Sequence, residues 1–344
     1  MEVHFLTAKP LRRSRYAYQG MERRGLGRGK VRVTELWLAR ASTLGLAIPR
    51  TAGQVIEMEI LPQILVTGIA LGVVYGLIGL TFTAIFNASK MLNFAQGDFI
   101  MIGAVLAVFT MEEWQIPLLP SLGIIAVATG ALGLGLFFLV KPLLEKGELL
   151  RATVCTLAIS LMVTVFFGLL TRHTILRVRP YWAIPPVHIG SASLSSQYIV
   201  LAAVAVALVI GYWGFSNRLS VGRALRATGF DREAGRIIGI PTALMIALAF
   251  VISGAMGGLS GSIVAPVNSP SAAMGLPLMI RGFVAIIVGG MGNAYAALVG
   301  GVIVGILATT LSAYSSAMVG EVATFLLLLT ILIVRPQGIF GKIE

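Results

Sequence analysis

The sequence predicts an all-α polytopic membrane protein of about eight or nine transmembrane helices. Three observations lead there. Apolar residues make up 57% of the 344 and charged ones only 12%, with a mean hydropathy of +0.92, far outside the range of soluble domains. Apolar runs long enough to cross about 30 Å of hydrocarbon recur along the chain. One stretch in the second half, Gly222 to Ile240, is too polar to stay among them and has to face water.

The net charge of +12 suggests a nucleic-acid partner only until it is mapped. Residues 1–57 hold 11 Lys/Arg against 4 Asp/Glu, and the remaining chain holds 15 against 10. The basicity is that of one tail plus loops, so no nucleic-acid partner is expected. The tail carries RRSR at 12–15 and ERRGLGRGK at 22–30, and its one mildly apolar run, Leu36 to Ile48, is broken by Arg40. It can be a disordered segment touching anionic lipid, a targeting segment, or sequence upstream of the mature protein. The last is favoured, with a start at Met58 and a permease-sized domain over 58–344. Gly29-Lys30 is no phosphate loop, because position 24 is Arg24 where that spacing needs glycine.

The first span runs from Leu61 to Phe86, with Gly68, Gly72 and Gly76 making a smooth strip for a close helix neighbour. Next comes NFAQGDF, Asn93 to Phe99, which brings Asn93, Gln96 and Asp98 to the start of an apolar helix. Such groups either border a translocation path or cap a helix at the interface, Asp98 favouring the first turn. Further spans are expected over Leu118–Val140, Ala152–Leu170, Tyr198–Phe215, Ala243–Val264, Leu276–Gly290, Ala294–Tyr314 and Val319–Val334. The lone Cys155 excludes an internal disulfide and reads as packing. Between the fourth and fifth spans, Pro180, Pro185 and Pro186 oppose a helix, while Tyr181 and Trp182 suit an external membrane interface.

Within Gly222 to Ile240 the punctuation is local. Asp231 caps a short helix, Ala234, Ile237 and Ile238 share one face, Gly239 stops it, and Gly229 is expected to separate it from the preceding piece, where Arg223 and Arg226 lie at i,i+3. An apolar face on a short cationic helix suits a partner's groove; a solvated positive-inside loop is the plainer alternative. Placing this segment and the terminal RPQGIFGK inside puts Lys141 to Arg151 inside as well, with Glu112 and Glu113 outside.

This stretch, with its continuation TALMIALAFVISGAMGGLSGSIVAP, resembles the cytoplasmic coupling loop and following helix of permease subunits from branched-chain amino acid ABC importers. The matching residues are Gly222, Arg223, Ala224, Arg226, Ala227, Asp231, Gly239 and Ile240. NFAQGDF is similar to that family's Asn-Phe-Ala-His-Gly-Glu-Phe, with Gln96 and Asp98 departing from it, and GGMGN and RPQGIFG extend the likeness over most of 58–344. The resemblance implies a multi-pass subunit of a bacterial inner membrane with a coupling loop over 216–241 and no ATPase site of its own. ATP would be used by two separate ATPase subunits, beside a second permease subunit and an external substrate-binding protein. The substrate would be a branched-chain or other small apolar amino acid, with urea or short amides as alternatives.

Leu276–Gly290 follows Pro270 and contains Pro277 and Arg281; a broken helix of this kind is a recurring way to build a transport site. Arg281 can meet a substrate carboxylate, or pair with Asp98 or Glu321. Catalysis has little support, since His4, His173 and His188 are scattered without metal-ligand spacing, and neither a cofactor nor a metal is expected on this chain. The rival is an ion-coupled secondary transporter or channel, which would have no reason to carry the coupling segment.

Overall fold

The computed structural model describes residues 51–181, 185, 187–189, 192–194, 196–335 and 337–340. The expectations for residues 1–50, and for Trp182 and Pro186, lie outside these. By compactness the chain divides after Met58, and the helical bundle is the unit from Glu59 onward.

The described residues are helical almost throughout. Helix α1 (Thr51–Ser89) is followed by α2 (Gln96–Ala107), which ends in a wider π-helical turn over Val108–Glu113. Then come α3 (Leu118–Glu145), α4 (Leu149–Leu170) and a small antiparallel pair, β1 (Val187–Ile189) and β2 (Ala192–Leu194), in register Val187 to Leu194. Helix α5 (Ser196–Arg218) leads to two short helices, α6 (Ser220–Phe230) and α7 (Arg232–Ile237). The chain closes with α8 (Thr242–Val264), α9 (Gly275–Gly289), α10 (Ala294–Tyr314) and α11 (Ala317–Val334).

Eight of the described helices are long and apolar enough to cross a membrane, and α2 is the expected span that is not among them. Connectivity nevertheless makes α2 a crossing. Arg232 donates hydrogen bonds to the carbonyls of Ser89 and Leu144, so α1 and α3 end on the same side as α7. Two consecutive long helices can end on one side only if the chain between them returns across the bundle, and α2 with its π turn is that return. Its far end meets the loop between α4 and α5, where Glu112 accepts from the Arg179 amide at 2.7 Å and pairs with its guanidinium at 3.5 Å.

Helix α2 is also the core. Eleven of its 12 residues are buried, so it needs no lipid-facing surface and is free of the length rule that governs its neighbours. Glycines let the flanking helices close on it: a Cβ at Gly103 would fall 2.0 Å from the Gly258 carbonyl, and one at Gly261 1.8 Å from that of Ile100. The outer surface of the bundle falls largely to α4, α5 and α11, whose Met162, Phe166, Ile210 and Ile333 are largely exposed.

The glycine strip on α1 finds its neighbour in α10. A Cβ at Gly72 would lie 2.5 Å from Val302 Cα, and one at Gly301 2.2 Å from the Gly76 amide, so backbone packs on backbone along this seam. Gly72→Val is therefore expected to lower the melting temperature in detergent by several degrees, an overpacking loss of about 1–3 kcal/mol. Gly135→Ala, with open space where its Cβ would be, is expected to leave it unchanged; equal melting temperatures for the two variants would remove the close seam.

Candidate functional site: the loop between α5 and α8 and two polar clusters

Helix α6 is built on a repeat of small and apolar residues. Gly222, Leu225, Thr228 and Gly229 are buried on one face, while Arg223, Arg226, Ala227 and Phe230 are exposed on the other. The two glycines permit contact with the ends of the long helices. A Cβ at Gly222 would meet the Phe215 carbonyl at 2.1 Å, and one at Gly229 would overlap that of Asn87. Gly229 does not separate the two helices as the sequence suggested. Its lack of a side chain is used for this approach to α1 inside α6, and the chain breaks instead at Asp231, which takes an extended conformation (φ −148°, ψ 115°).

That conformation lets Asp231 cap α7 as expected, its Oδ1 accepting from the amides of Glu233 (2.9 Å) and Ala234 (3.0 Å). Gly239, at φ 85°, ends the segment. Ala234, Ile237 and Ile238 are all exposed, the isoleucines at 85% and 72%. Phe230, at the end of α6, is 88% exposed; the sequence reading did not single it out, though an aromatic side chain in a cationic segment is a visible signal. The Asp231 cap fixes α7, so Ala234, Ile237 and Ile238 are presented on an ordered turn.

The arginines divide by function. Arg223 bonds back to the Arg218 carbonyl and Ser220 hydroxyl (both 3.3 Å), and Arg226 to Asn217 Oδ1 (2.6 Å), leaving both at the surface. Arg236 donates to the Thr242 hydroxyl at 3.2 Å. Arg232 turns inward, with Nη1 3.4 Å from the Leu144 carbonyl and Nη2 on that of Ser89. A cation is thus shared between the carboxyl ends of α1 and α3, where the helix dipoles favour it; the Leu144 carbonyl also accepts from the Gly147 amide. Burial, reinforced by the nearby charge of Arg236, pulls the Arg232 pKa below its ordinary value, yet an arginine stays charged throughout the physiological range.

The polar residues before α2 form a second cluster. Gln96 lies level with Ser253, eleven residues into α8 and so roughly 16 Å along it; α2 begins deep within the bundle, and the chain from Lys90 to Ala95 reaches it as irregular backbone. Amides exposed by that irregularity are met by side chains. The Phe94 amide donates to the Thr156 hydroxyl (3.0 Å) and the Ala95 amide to Asn93 Oδ1 (3.1 Å). The Ser253 hydroxyl lies 2.8 Å from both Gln96 Oε1 and the Thr81 carbonyl, and Asn93 Nδ2 donates to Gln96 Oε1 at 3.4 Å. Asp98, 3% exposed, accepts from the Thr164 hydroxyl at 3.3 Å.

Arg281 belongs to a third place. Its Nη2 is 3.1 Å from Glu321 Oε1, its Nη1 is 3.3 Å from the Tyr75 hydroxyl, and its guanidinium lies 5.5 Å from the Tyr75 ring centre. The pairing with Glu321, one of the two acids considered, is realised. Met279 of α9 contacts the start of α2 near Gly97, and Arg281, two residues or about 200° further round, points away from it. Asn93, Gln96 and Asp98 therefore share one side of α9 and Arg281 takes the other.

At the end of α9, Gly290 and Gly292 adopt positive φ, and the amides of Ile339 and Phe340 donate to the Val288 and Gly289 carbonyls, both at 2.9 Å. Asn87 Nδ2 reaches the Gly292 carbonyl at 3.0 Å. GGMGN and RPQGIFG are thus two halves of one joint at the same end of the bundle as α7.

Residues 64–335 match the model of a family described as branched-chain amino acid transport system / permease component. The high-affinity branched-chain amino acid transport system permease protein LivH of Salmonella typhimurium is 28% identical over 298 residues, 82% of this chain and 96% of the relative. BraD of Pseudomonas aeruginosa, a permease protein of the same description, is 26% identical over 302 residues, 82% of this chain and 96% of its own. Among solved structures, PsaBC from Streptococcus pneumoniae in complex with Fab aligns with a TM-score of 0.44 at 14% identity, covering 81% of this chain and 93% of that one.

Arg232→Met would leave the Ser89 and Leu144 carbonyls without their cation. It is expected to destabilise the loop by about 1.5–3 kcal/mol, read as faster hydrogen exchange over 231–240, with Arg223→Met near wild type. Equal exchange in the two variants would remove the inward role of Arg232.

Proposed function

Because the chain belongs to the branched-chain amino acid transport permease family, we propose a specific assembly and division of labour for it. It is a multi-pass membrane protein and the membrane-spanning permease subunit of an ATP-binding cassette importer. In our reading it sits in a bacterial inner membrane and pairs with a second permease subunit. An external binding protein delivers a branched-chain or other small apolar amino acid, and two cytoplasmic ATPase subunits dock beneath.

The observation that carries the docking is the exposed apolar surface of Phe230, Ala234, Ile237 and Ile238. It lies at the end of the bundle where Lys141, Lys146, Arg151 and the arginines of α6 and α7 gather, the cytoplasmic end by the distribution of positive charge. An amphipathic helix of this kind fits an apolar groove. ATP binding closes the ATPases, the closure moves α7, and Arg232 hands the movement to the ends of α1 and α3. The bundle then changes which side is open, an alternation between two packed states. Gly222, Arg223, Ala224, Arg226 and Ala227 hold α6 in place under this load, Asp231 and Gly239 frame α7, and Arg223 and Arg226 meet the rim of the partner or anionic lipid.

For the path, we assign Arg281 a direct place on it. Asn93, Gln96 and Asp98 border it from the other side of α9, keeping the deep start of α2 satisfied while its neighbours move.

The test is a pull-down of the chain in mild detergent from the cells that naturally make it, with mass spectrometry of what is retained. The native chain is expected to retain an ATPase, and Ala234→Glu to retain at least tenfold less while remaining monodisperse. Undiminished ATPase association and uptake in Ala234→Glu would remove the docking face. Absence of any ATPase from the native chain would favour a secondary transporter.

A further inference from the structure

Arg281 is the one charged residue of α9, and Glu321 the one charged residue of α11. Isolated charges in apolar helices are costly at membrane depth, so their placement needs a reason. The Arg281 side chain is 28% exposed and that of Glu321 59%, so the pair is open to its surroundings rather than sealed between helices.

The two charges border a cleft of about 130 Å³ whose remaining wall is mostly apolar, from Leu276, Pro277, Ile280 and Phe325. For scale, a dry cavity of ~150 Å³ admits benzene. The two charges are unequally held. Arg281 is fixed by both the hydroxyl and the ring face of Tyr75, and Tyr75 is 5% exposed at the midpoint of the span Leu61–Ser89. Glu321 is held only at its tip, by Arg281 Nη2. When the pair opens, Glu321 is the side that swings.

We propose that Arg281 and Glu321 are the two poles of a binding site for a zwitterionic amino acid with a small apolar side chain. This deepens the importer reading and rests on it. Arg281 takes the carboxylate, for which its planar fork is suited. Glu321 takes the ammonium, and the side chain lies along Ile280 and Phe325. One internal ion pair is exchanged for two to the ligand, so the site has no net charge whether empty or filled. In the empty state the pair closes on itself, which leaves no free charge to attract a lone ion.

The experiment uses the full importer, copurified with its ATPases and binding protein and reconstituted in proteoliposomes. The probes are radiolabelled leucine for uptake and a diazirine analogue of leucine for photolabelling during ATP turnover. The expected result is label on Leu276, Ile280 or Phe325, suppressed by excess leucine. Glu321→Gln and Arg281→Gln are expected to keep the complex assembled, with its ATPases retained on copurification, while uptake falls at least tenfold and the leucine-suppressible label is lost. The double exchange Arg281→Glu with Glu321→Arg restores the pair with reversed poles, and uptake is expected to stay low.

Label confined to other regions in a complex that imports leucine would overturn the site while leaving the importer reading intact. Full uptake by the double exchange would likewise reduce the pair to a structural one. Failure of the native complex to import leucine would overturn both.

Discussion

No backbone amide or carbonyl in the middle of this bundle can fall back on water, and that constraint orders the rest of the structure. In the long helices it is met internally. Wherever the chain breaks regularity at depth, a group from a distant part of the sequence supplies the missing partner. Thr156 serves the backbone before α2, Ile339 and Phe340 serve the end of α9, and Arg232 serves the ends of α1 and α3. Each repair joins elements far apart in sequence, so the irregular places are also the places where the bundle is tied together. A transporter needs irregular backbone to build a path, and this chain puts its ties where the irregularity is.

Much of this was legible in advance, for physical reasons. Long apolar runs have one stable use in lipid, so most spans could be read directly. Capping by Asp231 depends on residues two and three positions away, which is why α7 and its exposed Ala234, Ile237 and Ile238 were readable. Gly229 was misread because a glycine in a polar stretch has two opposite uses, breaking a helix or admitting a neighbour's backbone. Only the position of Asn87, 142 residues upstream, distinguishes them. The nature of α2 was half visible: its polar start was recognised as expensive, but the partners that meet the expense, Thr156 and Ser253, are ordinary residues in apolar runs with no local mark. Arg281 was noticed for its charge, whereas Tyr75, which fixes it, sits in a span that reads as uniform packing.

The polar clusters differ in what burial does to them. Around Gln96 every bond lies within the protein, and a network closed in this way specifies one arrangement of α1, α2 and α8. Around Arg281 the network is open on the Glu321 side and can be rearranged without exposing an unsatisfied backbone. The helix between them, α9, is short and is held at one end by the strap from the carboxyl-terminal segment. It separates a part of the protein that has to keep its shape from a part that is free to exchange partners.

The glycine seam between α1 and α10 has a mechanical consequence. Its backbones mesh so closely that a longitudinal slip by one residue would drive a side chain into a peptide plane, so the two helices travel as one rod. The rod is tied near α7 by Arg232 on the Ser89 carbonyl and by Asn87 on the turn before α10, and at mid-length by Ser253 on the Thr81 carbonyl and Arg281 on Tyr75. Because the seam makes α1 and α10 one body, every group that holds one of these helices positions both.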